Sequence, residues 1–63
     1  MELVLYDSQK KVYLAKPIPE NPPVTTSDEN KAWRISEQEI EHAWHIAYKS
    51  AWLGIGFFYV HGI

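Results

Sequence analysis

Hydrophobic and polar positions follow different patterns in three zones of the chain, and the first zone covers residues 1–16. It contains two short runs of strand-favouring residues, 3–6 and 12–14, separated by a polar stretch that begins at Asp7. Because Asp is favoured at the first position of a type I turn, the pattern predicts an antiparallel β-hairpin. Both faces of this hairpin carry apolar side chains, which predicts that another part of the chain covers its second face.

The second zone, residues 17–34, holds all four prolines of the chain and most of its small polar residues. Proline interrupts helices and is excluded from central strands. The zone is therefore predicted to be a semi-extended connector, with Trp33 as the anchor where it rejoins the core.

The third zone begins with a helix that is predicted to occupy residues 35–54. Ser36 and Glu39 have the spacing of a capping box, and Ile35 and Ile40 have the spacing of a hydrophobic staple across it. Gly54 is placed to end the helix.

The apolar run Phe-Phe-Tyr-Val that follows Gly56 predicts a strand within residues 55–63, which would join the hairpin as a third strand. The chain is thus expected to form a single α+β domain, residues 1–63, with element order β-β-α-β.

The predicted helix is apolar over more than the one stripe that a single sheet would cover. Ala43, Ala47 and Ala51 form a smooth strip along which another backbone could approach closely. Beside the strip, an aromatic row at i+4 spacing consists of Trp44, Tyr48 and Trp52. Two interpretations remain open: the rings fill a small core, or the surplus face binds another copy or another protein. The second interpretation predicts an interface formed by Trp44, Ala47, Tyr48, Ala51, Trp52, Phe57 and Tyr59.

The composition supports a folded chain that needs additional stabilisation. Hydrophobic residues make up 46% of the 63 residues and the net charge is −2, which argues against disorder. A chain of this length has marginal stability, and the absence of cysteine removes disulfides as a remedy. No apolar run reaches the roughly 20 residues that span a bilayer, and the N-terminus does not resemble a signal peptide. The expectation is a soluble, cytoplasmic protein with no membrane partner.

A metal site is geometrically possible on the predicted helix. Glu39 and His42 form a Glu-x-x-His pair, the unit that di-iron helical bundles use, and His45 lies one turn further on. One helix supplies too few carboxylates for such a centre. A solvated helix edge is the competing interpretation, and no cofactor is expected.

A nucleic-acid site is the other alternative, with Lys10, Lys11 and Lys16 beside Tyr6 and Tyr13 on the hairpin. Six basic residues against eight acidic ones do not provide the concentrated positive surface that phosphate binding requires. Nucleic acid is therefore not an expected partner.

The sequence contains no recognisable catalytic set. None of its serines lies in a nucleophile elbow, there is no cysteine, and Gly54-Ile-Gly56 fits a helix stop better than a phosphate-binding loop. The chain is expected not to be an enzyme.

The closing segment GFFYVHGI, residues 56–63, resembles a stretch near the N-terminus of isopenicillin-N-synthase-like 2-oxoglutarate dioxygenases, where a helix leads into a strand. The resemblance covers only this segment and its helix, and here the chain is shorter between Val60 and His61. In that family the iron ligands lie far downstream in a double-stranded β-helix, so the resemblance implies no ligand in this chain. It implies only a helix followed by a strand.

The function predicted from the sequence is a small non-enzymatic protein-interaction module that forms a homodimer. Its size suits an accessory or inhibitory protein such as those that phages and mobile elements encode.

Overall fold

The structure is a computed structural model that describes residues 2–63. In these residues, a four-stranded antiparallel sheet is packed against one α-helix. The strands are β1 (Leu3–Asp7), β2 (Val12–Leu14), β3 (Thr25–Thr26) and β4 (Tyr59–Gly62), and the helix is α1 (Ile40–Trp52). The spatial order of the strands is β3-β2-β1-β4. This arrangement confirms the predicted α+β class, with the strand after the helix pairing with β1 of the same chain.

The hairpin turn forms where the polar stretch predicted it. Tyr6 pairs with Tyr13 and Asp7 pairs with Val12, leaving residues 8–11 as the loop. Lys11 lies in the left-handed region with φ 57°, and its N–H donates a 2.7 Å hydrogen bond to the Asp7 carbonyl oxygen. A lysine thus occupies a backbone position that glycine usually takes.

Away from this turn, β1 and β2 separate, and residues 32–35 insert between their ends. The Trp33 N–H donates to the Leu14 carbonyl oxygen at 3.0 Å, and the Ile35 N–H donates to the Leu3 carbonyl oxygen at 2.9 Å. The Trp33 side chain is only 3% exposed and belongs to the core cluster. The prediction that Trp33 anchors the returning connector is confirmed.

The connector is more regular than its prolines suggested. Strand β3 pairs antiparallel with β2 at the edge of the sheet, and a 3₁₀ turn follows at Glu29–Lys31. Asp28 caps that turn, since its Oδ1 accepts from the Asn30 N–H at 2.9 Å. β3 was not predicted. It lies after Pro23, in residues whose backbone N–H groups can donate the hydrogen bonds that pair two strands.

The helix has the predicted caps but a shorter regular part. A 3₁₀ turn, Glu37–Glu39, precedes α1, and the Ser36 N–H and Oγ donate to Glu39 Oε1 at 3.3 and 2.9 Å. At the other end Gly54 has φ +74° and its N–H donates to the Ala51 carbonyl oxygen. The Ile55 N–H donates to the Ser50 carbonyl oxygen at 2.9 Å, which completes a Schellman motif.

One core lies between the sheet and α1, and the helix approaches the sheet through its small residues. Ala43, Ala47 and Ser50 are buried. The core cluster consists of Leu5, Leu14, Trp33, Ile35, Ala43, Ala47 and Phe58. Two of the three alanines in the predicted strip therefore contact the chain's own core, so the approaching backbone is the sheet of the same chain.

The second face of the hairpin is also covered, as predicted. Val4 and Leu5 are both fully buried, although adjacent strand residues point to opposite faces. On the face of Val4, the rings of Tyr6 and Tyr13 lie 4.8 Å apart. Burial raises the pKa of Tyr13, and the charge of Glu29 in the connector acts in the same direction.

Candidate interaction surface

An apolar groove lies between one flank of α1 and the segment that leads into β4. Its volume is about 290 Å³, at the lower limit of ligand pockets, and it opens to the surface of the protein. None of its lining residues is charged; they are Trp44, Ala47, Tyr48, Ala51, Phe57, Phe58 and Tyr59.

The helix wall of the groove is formed by the aromatic row. The exposed fraction rises along the row, from 47% for Trp44 to 72% for Tyr48 and 83% for Trp52. Ala47 is buried and Ala51 is partly buried, so these small residues form the floor between the rings. The i+4 spacing keeps the three rings on one side of the helix while the core stripe takes the other side.

Phe57 and Phe58 supply the opposite wall, and Tyr59 borders it at the start of β4, where its pairing with Tyr6 directs its ring to the sheet face away from α1. Phe57 and Tyr59 are 63% and 66% exposed. Asp7 holds the backbone of this wall, because its Oδ2 accepts a 3.2 Å hydrogen bond from the Phe57 N–H. Gly56 allows this approach: a Cβ at position 56 would lie 2.7 Å from the same Oδ2. The hairpin turn and the loop after α1 are thus joined through one carboxylate.

The environment of Asp7 favours its ionised form. Burial of the carboxyl group opposes ionisation, but hydrogen bonds from the backbone N–H groups of Lys10, Gln9 and Phe57 outweigh it and lower the pKa of Asp7. The charge of Lys10 acts in the same direction, and its Nζ donates a 2.7 Å hydrogen bond to the Ile55 carbonyl oxygen. Lys10 therefore tethers the turn to the same loop.

The other flank of α1 faces the connector across a second cavity of about 300 Å³. His42, Ile46 and Lys49 line this cavity together with residues 17–21 and Pro23. Ile46 also packs against the core cluster. The two flanks show that the aromatic row lies on the side of β4, while the proline-rich connector lies on the opposite side of the helix.

The structure brings six of the seven predicted interface residues together around the groove; Trp52 lies next to it, beside Tyr48 and Ala51. Ala47 is only 7% exposed, so it can contribute to a contact surface only as the floor. Phe58 was missed. Alternation along the strand could have identified it, since it points opposite to its exposed neighbours Phe57 and Tyr59.

The metal candidates do not assemble. In residues 2–63, no three His, Asp or Glu side chains come close enough together to hold a metal ion. The Ser36 hydroxyl and backbone N–H hydrogen-bond the Glu39 carboxylate and lower its pKa. The His42 ring packs edge-on against Trp33 at 5.9 Å, and His45 is exposed on the helix.

The three candidate lysines also have separate environments. Lys10 is bonded to the Ile55 carbonyl, Lys11 forms the left-handed turn residue, and Lys16 is near enough to Glu39 to influence its pKa. The Tyr6–Tyr13 pair meanwhile lies near the acidic Glu29.

In the part of the chain that the structure describes, no helix has the length and apolar character required to cross a membrane. Comparisons with protein-family models, curated proteins and solved structures found no match.

Proposed function

We propose that this protein is a non-enzymatic interaction module whose groove and aromatic row bind a second copy of the chain. The exposure of the aromatic row carries the proposal. Trp and Tyr at such positions are the residues that most often dominate binding energy in protein interfaces. A dimer of this kind suits a small accessory or inhibitory protein, such as phages encode.

The exposed aromatic area is a large part of what an interface requires. Aromatic side chains present roughly 150–250 Å² each, so the exposed fractions of the aromatic row, Phe57 and Tyr59 amount to on the order of 500–800 Å². The largest apolar patch of a typical monomer is about 300–600 Å². A standard interface buries about 800 Å² on each partner, so the three rings of the aromatic row, on the order of 300–500 Å², supply about half of one side. Tyr59 adds exposed area on the other face of the sheet.

The total surface is also large for a single copy. The accessible area is 4635 Å². The scaling of monomeric proteins gives about 4,200 Å² for a chain of 7.3 kDa. The excess agrees with a chain that buries further surface by association, which is a common remedy for marginal stability at this size.

The aromatic row is complementary to itself under two-fold symmetry. Its members are equally spaced, so an antiparallel pairing of two α1 helices about an axis near Tyr48 places Trp44 of each copy opposite Trp52 of the other. Rows at i+4 spacing can interdigitate, with small residues between the rings accepting the partner's side chains. Such an isologous contact is the usual geometry of homodimers.

Sedimentation equilibrium from micromolar to millimolar concentrations tests the proposal. The wild-type chain is expected to sediment as a dimer, and Tyr48→Glu as a monomer, because the substitution places a charge in the middle of the contact. Trp44→Ala is expected to weaken the dimer without a large change in fold. Ala47→Glu is not a suitable probe, because position 47 is buried in the core of the single chain.

Ile18→Glu is the matched control: Ile18 is also more than half exposed, but it lies in the connector on the other side of α1. It should leave the dimer unchanged. A wild-type chain that is monomeric over the whole concentration range would exclude the proposal, and so would equal effects of Tyr48→Glu and Ile18→Glu on association.

A further inference from the structure

Strand β4 forms an edge of the sheet and lacks the charged residues and prolines that often protect edges. In residues 2–63 its neighbour is β1 on one side only. All four of its residues are exposed, and it contains no proline and no residue with a fixed charge. Natural edge strands are usually shielded by lysine, proline, a bulge or a covering segment. An unshielded edge is a template for pairing with another strand.

The hydrogen-bond pattern shows which backbone groups of β4 are free to pair. Glu2 and Ile63 exchange two hydrogen bonds, of 3.3 and 2.9 Å. Bonded and non-bonded pairs alternate along an antiparallel ladder, so His61 and Tyr59 also point their N–H and C=O groups towards β1. The N–H and C=O groups of Val60 and Gly62 consequently point outward from the sheet.

We infer that two copies of the chain join through their β4 strands, antiparallel, with the two-fold axis at His61. This inference rests on the proposed function, because it takes the partner to be a second copy. In this register, Val60 of each copy pairs with Gly62 of the other through two hydrogen bonds, four in all. All N–H and C=O groups of β4 that point outward then form hydrogen bonds, and the two sheets form one eight-stranded sheet.

The same axis brings the two grooves together. A two-fold axis perpendicular to the sheet keeps both α1 helices on the same face. The aromatic row lies on the β4 side of α1, so the two rows face each other above the new strand pair. On the opposite face, Tyr59 of each copy lies across from Ile63 of the other, an aromatic and β-branched pair that stabilises sheets. One contact thus covers both the open edge and the exposed rings.

Disulfide trapping tests the register, and the chain is suited to it because it contains no cysteine. His61 of each copy lies opposite His61 of the other as a non-hydrogen-bonded pair, with Cα atoms about 4.5 Å apart. That distance is within the range of disulfides. Under oxidised glutathione, His61→Cys is expected to form covalent dimers at least about tenfold faster than Ile18→Cys, the connector control. Equal rates would overturn the inference.

Proline substitution tests the strand pairing without oxidation. Val60→Pro removes an outward N–H and should keep the fold of the single chain, as proline at solvent-facing edge positions does. It should raise the dimer dissociation constant by about tenfold or more, because each copy loses a donor at the seam. His61→Pro removes a donor that faces β1, so it should instead reduce the sheet signal in circular dichroism.

The outcomes separate this inference from the proposed function. A wild-type chain that stays monomeric would exclude both. A wild-type dimer that Tyr48→Glu dissociates, but that Val60→Pro leaves intact, would retain the helix contact and exclude the paired strands. Loss of the dimer in both variants, with unchanged circular dichroism, would support the combined arrangement.

Discussion

The two flanks of α1 differ in what lies opposite them. On one flank, the chain's own connector lies opposite His42, Ile46 and Lys49 across a cavity, and only Ile46 of these three is partly buried. On the other flank, the aromatic row stands over a groove that none of residues 2–63 fills. The comparison is clearest in two tryptophans: Trp33 is 3% exposed and Trp52 is 83% exposed. The same residue type stabilises the single chain in one place and provides surface for association in the other.

The largest expected effect is a loss of stability when the buried Trp33 is truncated. Trp33→Ala should reduce the free energy of unfolding by about 3–5 kcal/mol, because it removes a large side chain from the core. A chain of this length has a total stability of only about 3–9 kcal/mol, so much of the variant should be unfolded. Urea denaturation at protein concentrations below the dimer dissociation constant provides the measurement. Trp52→Ala is the control, and its free energy of unfolding should change by less than about 0.5 kcal/mol. Equal losses in the two variants would remove the contrast between the flanks.

A smaller effect is expected at the loop that holds the far wall of the groove. Gly56→Ala should cost about 1–3 kcal/mol, because its Cβ would lie 2.7 Å from Asp7 Oδ2 and 3.0 Å from the Phe58 ring. Thermal denaturation provides the measurement.

Gly54→Ala separates this steric effect from backbone strain. No atom lies within 4 Å of the added Cβ, so only the positive φ of 74° opposes the substitution, at about 1–2 kcal/mol. If Gly56→Ala is as stable as the wild type, the close approach of Asp7 to this loop is not maintained in solution.

The smallest expected effect is a dependence of stability on pH that Asp7 contributes. The pKa of Asp7 is lower in the folded chain than in the unfolded chain, where it is near 3.8. Its stabilising contribution is therefore complete at pH values above the unfolded-state pKa and is lost as the pH falls through the folded-state pKa. As the pH falls from 5 towards the acid limit, the free energy of unfolding of Asp7→Asn should therefore decrease less than that of the wild type. Urea midpoints measured across this range provide the comparison, and parallel curves for the two proteins would contradict the role of Asp7.

Local signals in the sequence predicted the elements well where a short segment decides the structure by itself. The Ser36–Glu39 pair predicted the helix start and Gly54 predicted its end, because both depend on backbone groups within a few residues. Strand β3 and the insertion of residues 32–35 between β1 and β2 were not predictable in this way. Both depend on hydrogen bonds to residues more than ten positions away.

The candidate site shows the same division. The aromatic row was evident from its i+4 spacing, but the spacing alone could not show which of the apolar helix positions faced the core. Ala47 was assigned to the contact surface, whereas it is buried in the core of the single chain. The metal and nucleic-acid candidates were close in sequence, and their side chains have different partners in the folded chain.

The sequence alone determined the periodicity, the caps, the hairpin turn and the excess of aromatic residues, because each of these depends on neighbours along the chain. Only the tertiary structure decided which face of α1 the sheet covers, that β4 lies at an edge, and that Asp7 reaches across to hold the Phe57 backbone. The physical reason is that burial and hydrogen-bond partners depend on distances between segments, and the sequence pattern does not specify those distances.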